Sequence, residues 1–232
     1  MHGYSGKRLI VDLSSEKTRI EEVSEAFCKK YLGGNGLGIR LLHEYTKPKI
    51  DPLSPENALI FAIGPFCGTP VPASDKYVVH AKSPLTGFMG EAISSGFWGG
   101  AFRRAGYDGL VVLGRAKRPS YVFIDDDIVE ISDAKDLWGK DCWETEETIK
   151  ETIDDDNVRV AAIGPAGENL VHFACITNER NRQAGRTGMG AVMGSKYVKA
   201  VAVRGSKTVQ VAKLDELLEE CKRLYEISKG PA

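Results

Sequence analysis

The chain has 232 residues, 42% of them hydrophobic, and its 31 basic and 32 acidic side chains leave a formal net charge of −1. That length can bury the core of one large domain or two small ones, and the composition is ordinary for a soluble globular protein. The near-neutral balance excludes a general nucleic-acid or membrane-surface binder, because such binding draws on a broad excess of positive charge.

Residues 8–13 read as a strand, with residues 19–23 as its hairpin partner across a polar turn. Residues 24–46 read as helical, with a glycine-rich break at residues 33–38. Residues 57–65 form a buried strand running into a turn, followed by a loop rich in Pro, Gly and Thr. Residues 77–81 are a short strand, 83–88 a turn, 94–105 a loop entering a helix and 109–113 a strand. The second half repeats the plan: residues 121–124 and 128–131 flank an acidic turn, and a polar helix covers about 144–153. Residues 158–165 match residues 59–65, and the string Ala-Ile-Gly-Pro at residues 62–65 recurs one hundred residues on, at 162–165.

The order of elements repeats along with the tetrapeptide, which predicts an internal duplication of about one hundred residues. The expected boundaries are a domain over residues 1–210, with halves of about 1–115 and 116–210. Residues 211–232 would open a following helical domain. There Leu214, Leu217, Leu218, Cys221, Leu224 and Ile227 fall at helical spacing. That apolar stripe predicts a helix covered by a second domain or a partner.

No apolar run approaches the ~18 residues that span a bilayer, and the N-terminus lacks a signal-peptide core, so the expected location is cytoplasmic. The five cysteines are scattered, without the short spacings of a zinc or iron–sulfur ligand set, and read as reduced thiols. The four histidines have no neighbouring catalytic constellation and read as structural residues.

The chemical signal lies in the glycines, whose number, 25, exceeds the usual ~7%. Residues 180–196 hold Arg180, Arg182, Arg186 and Lys196 among Gly185, Gly188, Gly190 and Gly194. Glycine lets backbone N–H groups approach an oxyanion and arginine supplies a bidentate donor, so the segment reads as an anion clamp for a phosphorylated cofactor. It is not a Walker A loop, because the Gly-Lys-Ser/Thr ending is absent. The counterpart in the first half is residues 94–101, followed by Arg103 and Arg104. Phe97 and Trp98 there read as core residues, with the wall of an aromatic cofactor as the alternative.

Five strings in order carry a family resemblance: Asp51-Pro52-Leu53-Ser54-Pro55-Glu56-Asn57, Lys82-Ser83-Pro84-Leu85-Thr86-Gly87-Phe88, Ala105-Gly106-Tyr107-Asp108, Ile163-Gly164-Pro165-Ala166-Gly167-Glu168-Asn169 and Gly190-Ala191-Val192-Met193-Gly194-Ser195-Lys196. Together, over about residues 3–210, they resemble the N-terminal domain of the tungsten-containing aldehyde ferredoxin oxidoreductases. The resemblance implies an α+β fold, internally duplicated, with two related mostly antiparallel β-sheets and flanking helices. Members are longer cytoplasmic enzymes that oxidise aldehydes to carboxylic acids and pass electrons through a [4Fe–4S] cluster to ferredoxin. They use a bis-pterin tungsten (or molybdenum) cofactor, and a homo-oligomer is expected.

By the same resemblance, Arg182, Gly185 and Arg186 match the family's pterin-phosphate contacts directly. Lys76 stands where an arginine is usual, Ile93 and Ser95 where an asparagine and a glycine are common, and Gln183 where alanine is common. The family's magnesium ion between the pterin phosphates takes ligands at the positions of Ile93 and Gln183. These substitutions are compatible with it if the ligands are backbone carbonyls. The iron–sulfur ligands belong to C-terminal domains that this sequence does not include. The chain alone is therefore expected to bind at most part of the cofactor and to be inactive, as a truncated piece, the product of a broken gene or a subunit awaiting its complement. Lys76, Ile93 and Gln183 favour a rival expectation, a non-catalytic phosphate- or nucleotide-binding module that keeps the fold.

Overall fold

The computed structural model describes residues 1–230. Its first half runs β1 (Lys7–Asp12), β2 (Lys17–Glu22), α1 (Glu25–Tyr31), α2 (Gly34–Tyr45), β3 (Leu59–Ile63), β4 (Lys76–Lys82), β5 (Met89–Ser95), α3 (Trp98–Ala105) and β6 (Gly109–Leu113). The second runs β7 (Ser120–Asp125), β8 (Ile128–Asp133), α4 (Cys142–Ile153), β9 (Arg159–Ala162), α5 (Pro165–Glu168), β10 (Ile176–Asn178), β11 (Arg182–Ala184), α6 (Met189–Ser195) and β12 (Val198–Arg204). A last helix, α7 (Leu214–Ser228), follows.

The duplication is complete at the level of topology. One six-stranded sheet has the order β2-β1-β6-β3-β4-β5 and the other, read from its far end, β8-β7-β12-β9-β10-β11. Each strand has its counterpart in the same place. In both sheets only the first hairpin strand and the last strand pair in parallel (β1 with β6, β7 with β12), and the remaining pairs are antiparallel.

Alternation along the strands explains the layers. Leu9, Val11, Phe61, Leu110 and Val112 join Val122, Ile124, Val201 and Val203 in one buried cluster, so the two sheets share a core. Residues one step away, Ile10, Ile60 and Val111, pack instead on Leu37 and Leu41 of α2. On the second sheet Val160, Ala200 and Ala202 pack on Ile149 of α4. Strands covered on both faces need continuous apolar runs, which is why Leu59–Ile63 is buried throughout. Helices α3 and α6 contribute Trp98, Phe102, Met189 and Val192 to the shared core. Trp98 is its hub: its ring lies 4.7–5.4 Å from those of Tyr77, Phe102 and Phe61, and its Nε1 donates to the Val201 carbonyl at 3.0 Å.

Several sequence expectations change here. The helical stretch is interrupted only around Leu32 and Gly33; Gly34, Gly36 and Gly38 lie inside α2. A side chain at Gly38 would strike the buried His80, so glycine lets the helix approach the sheet. His80 is structural, as its sequence context suggested, but only half satisfied: Nδ1 pairs with the Gly90 carbonyl at 3.1 Å while Nε2 has no partner. Strand β5 covers residues 89–93, to which the sequence assigned no element, and takes in Ser94 and Ser95, expected to open a loop; its Gly, Ala and Ser content hides the pattern.

Lys196 is not part of an anion clamp. It is fully buried at the end of α6, where Nζ donates to the carbonyls of Pro55 (3.2 Å) and Gly114 (2.9 Å) and ties the two halves together. Burial, with Arg115 nearby, pushes its pKa from 10.5 down to about 7. Between those values the unfolded chain binds the extra proton, so stability rises with pH through that window, by at most ~1.4 kcal/mol per unit. Urea unfolding from about pH 7 to 9 is expected to show this rise in the wild type and to lose it in Lys196→Met; equal slopes would contradict the assignment.

Candidate functional site

β5 and β11 are the last strands of their sheets, and they lie side by side. That adjacency gathers the residues singled out from sequence. Lys76 and Ser95 are directly opposed in the β4–β5 ladder, and Ile93 is opposed to Val78. Arg182 and Gln183 pair with Asn178 and Thr177 in β11–β10, and Gly185 and Arg186 follow at once.

The Ser83 N–H bonds the Phe88 carbonyl at 2.8 Å, which fixes the phase of the β4–β5 ladder. Alternation then turns the backbone groups of Glu91, Ile93 and Ser95 away from β4, toward the second sheet. Two of these carbonyls are taken: Glu91 accepts from Thr187 Oγ1 at 3.1 Å and Ser95 from Asn178 Nδ2 at 2.9 Å. Residues 182–187 therefore follow β5 in the reverse sense, from Ser95 back to Glu91, with the outward-facing Ile93 carbonyl between them. The Ile93 side chain is 49% exposed and offers no ligand atom, so any cation there would meet main-chain oxygen.

Only part of the basic segment is free. Arg180 pairs with Glu147 at 3.0 Å and stands over the Trp143 ring at 5.3 Å. Lys76, Arg182 and Arg186 are exposed and make no ion pair among the described residues. Guanidinium groups left without a carboxylate keep their bidentate donors for an outside anion.

The glycines divide in the same way. Side chains at Gly188, Gly190 and Gly194 would collide with the carbonyls of His172, Cys175 and Gly167. Those glycines serve backbone-to-backbone packing of α6 rather than an oxyanion nest, which corrects the sequence reading. Gly185 is different. It is exposed, its φ is not positive, and a Cβ there would meet nothing closer than the Gln183 Cβ at 3.9 Å. No packing within the protein demands a glycine at that position, between Arg182 and Arg186, whereas close approach of a ligand would.

The aromatic pair of the first-half loop separates: Trp98 is core, but Phe97 is 61% exposed with the Arg159 guanidinium 5.7 Å over its ring. Nor is the adjacent start of α3 open to phosphate. The Glu179 carboxylate accepts the Phe97 N–H at 2.6 Å, and burial raises its pKa against the lowering effect of the N–H bonds of Phe97 and Trp98. Sequence reasoning missed Glu179 and its neighbour Asn178. Both act on residues more than eighty positions away, so no local pattern marks them.

Among the described residues no three His, Cys, Asp or Glu side chains converge on a metal position, and the five cysteines are free and apart from one another in sequence. An open cleft of about 850 Å³ lies between the end of α2 and the β4–β5 turn, and its lining includes none of Lys76, Ile93, Ser95, Arg182, Gln183, Gly185 and Arg186. No helix is long and apolar enough to cross a membrane among the described residues.

Residues 8–205 match the family described as aldehyde ferredoxin oxidoreductase, N-terminal domain. The chain is 51% identical over 212 residues to the tungsten-containing aldehyde ferredoxin oxidoreductase of Pyrococcus furiosus, covering 91% of this chain and 35% of that protein. It is 48% identical to the enzyme of the same name from Pyrococcus horikoshii, over 100% of this chain and 38% of that protein. A solved structure, the active site complex BamBC of benzoyl coenzyme A reductase with 1,5-dienoyl-CoA, superposes with a TM-score of 0.95 at 39% identity, over 98% of this chain and 35% of that one. The chain thus spans little more than a third of the length of these relatives.

Proposed function

We propose, from the premise that the chain belongs to the aldehyde ferredoxin oxidoreductase family and corresponds to its N-terminal domain, that the β5–β11 edge holds the phosphates of a tungsten–pterin cofactor. The observation that carries this reading is the pair of unpaired arginines, Arg182 and Arg186, flanking a glycine for which the fold has no use of its own. The residues fit such a group: two planar donors and the Lys76 ammonium are exposed on or beside β4 and β11, which flank β5, and Gly185 leaves room between the arginines. The Ile93 carbonyl, with that of Gln183, would be main-chain ligands for a magnesium ion that also takes phosphate oxygens and water, as magnesium commonly does. Isoleucine and glutamine at these positions are then tolerated, because the ligand atom belongs to the backbone.

When bound, the pterin-held metal supplies the redox chemistry that converts an aldehyde to a carboxylic acid, with electrons leaving by a [4Fe–4S] cluster to ferredoxin. The chain's own task is narrower. Its arginines neutralise and orient the phosphates, and its stiff doubled sheets fix where the pterin lies. Residues 1–210 make up this base, and α7 opens the next unit, whose remainder would cover its exposed Leu214, Leu218 and Ile227.

The test is calorimetric titration of the chain with the phosphorylated pterin released from a molybdopterin enzyme, its dephosphorylated form, and ADP. Binding that requires the phosphate and prefers pterin to ADP is expected. Equal binding of the dephosphorylated form would remove the phosphate site, and preference for ADP would favour a nucleotide-binding module.

A further inference from the structure

The edge strands do not pair with each other, yet they are held at a fixed spacing, and the contacts that hold them are reciprocal. The β10–β11 turn of the second half reaches the β5–α3 loop of the first. Asn178 donates from Nδ2 to the Ser95 carbonyl at 2.9 Å and accepts at Oδ1 from Ser94 Oγ (2.7 Å) and Tyr77 OH (2.9 Å). Beside it Glu179 takes the Phe97 N–H. The β4–β5 turn of the first half reaches the β11–α6 loop of the second in the same manner. Ser83 Oγ donates to the Thr187 carbonyl at 2.7 Å, and Thr187 Oγ1 returns to the Glu91 carbonyl at 3.1 Å.

The two loops also carry matching glycines with positive φ, Gly96 at 110° and Gly188 at 75°. Each lies against the other half's turn. A side chain at Gly96 would run into Glu179 and Asn178, and one at Gly188 would press on Pro84, at 3.0 Å, as well as on the His172 carbonyl. Asn178 is 1% exposed and Ser83 fully buried, so neither bond is easily exchanged for one to water.

We propose that Asn178 and Ser83 are positioning residues, a pair of reciprocal latches by which each half sets the strand-to-helix loop of the other. The duplication thereby acquires a purpose that neither half could serve alone. Ser95 and Ile93 come from one half and Arg182 to Arg186 from the other, and the latches fix the distance between them. Their bearing on cofactor binding rests on the reading above; the mechanical coupling does not. Loosening one loop frees the edge strand that the opposite turn leans on, so a break at either latch weakens both loops.

Native-state hydrogen exchange on the chain, without ligand, decides this. Rates are taken relative to amides of β12, to remove changes in global stability. In Asn178→Ala, which cuts the latch on the first half's β5–α3 loop, exchange is expected to accelerate at least tenfold also at Gly190 and Ala191, whose N–H groups bond the Ala174 and Gly188 carbonyls beside the β11–α6 loop that Ser83 latches. In Ser83→Ala the same acceleration is expected at Phe97 and Ala101. Tyr77→Phe, which removes one donor to Asn178 but spares the bond to Ser95, is expected to leave Gly190 and Ala191 within about twofold. Acceleration confined to the side of the cut bond, or passing in one direction only, overturns the proposal. If Asn178→Ala does not fold, Asn178→Asp, which loses the same donor, takes its place and Ser83→Ala gives the reverse arm. Because no phosphate enters the measurement, failure here is separate from failure of Arg182 and Arg186 to bind an anion.

Discussion

Replacing Arg182 and Arg186 together by alanine is expected to weaken binding of magnesium diphosphate about a hundredfold at low salt while leaving stability almost unchanged. A hydrogen bond to a charged group contributes roughly 1.5–3 kcal/mol, so two guanidiniums supply about 3–6 kcal/mol, or two to four decades in affinity. Both side chains are exposed, which screens the attraction and selects the lower end of that span. Because neither arginine has an ion-pair partner among the described residues, its loss strands no buried group there, and the stability change should stay within ~0.5 kcal/mol. Arg186→Lys keeps the charge and loses the fork, so it should fall between wild type and Arg186→Ala. Calorimetry at low salt and at ~0.15 M should show the gap between wild type and the double variant narrowing as the Debye length shortens. Unchanged affinity in the double variant would take the anion away from this edge.

The largest loss of stability is expected at Trp98. Truncating a buried tryptophan costs roughly 3–5 kcal/mol through lost burial and the cavity left behind. At this position the Val201 carbonyl also loses its indole donor and keeps only its ladder bond to β9, adding about 0.5–1.5 kcal/mol. Against a total stability of ~5–15 kcal/mol, Trp98→Ala should leave the chain marginal or unfolded. Trp98→Phe keeps most of the ring contacts with Tyr77, Phe61 and Phe102 but removes the indole bond to a carbonyl that retains its ladder partner, so a drop of about 0.5–1.5 kcal/mol is expected. Urea unfolding of the two variants separates the contributions: a Phe variant as stable as wild type would show that the indole N–H contributes nothing.

Much of the architecture was legible from the chain. The repeated Ala-Ile-Gly-Pro string marks β3 and β9, which occupy matching places in the two sheets, and the alternating hairpins β1–β2 and β7–β8 announce themselves by period two. What stayed hidden is the part held together across the halves. β10 and β11 are three residues each and β5 is rich in small residues, so neither carries a periodic signal. Their order comes from Asn178, Ser83 and Thr187 acting on the opposite half.

The basic residues of the candidate site stood out in the sequence, and among the described residues Arg182 and Arg186 are exposed and make no ion pair; the glycines were misleading. Gly188, Gly190 and Gly194 have the same look in sequence, yet each yields to a nearby carbonyl rather than to a ligand. A glycine needed for helix packing and one needed for phosphate cannot be told apart until the neighbouring backbone is placed. Lys196 and Phe97 teach the converse lesson. A charged residue in the clamp segment turned out to be buried mortar between the halves, and an aromatic beside a core tryptophan turned outward.

The position of bound magnesium diphosphate in a crystal of the chain addresses the central claim most directly. The expected result is a diphosphate bridged by the Arg182 and Arg186 guanidiniums, with the metal about 2.1 Å from the Ile93 carbonyl oxygen. Diphosphate seated instead in the cleft by Lys47 and Lys49, with the two arginines untouched, would contradict it.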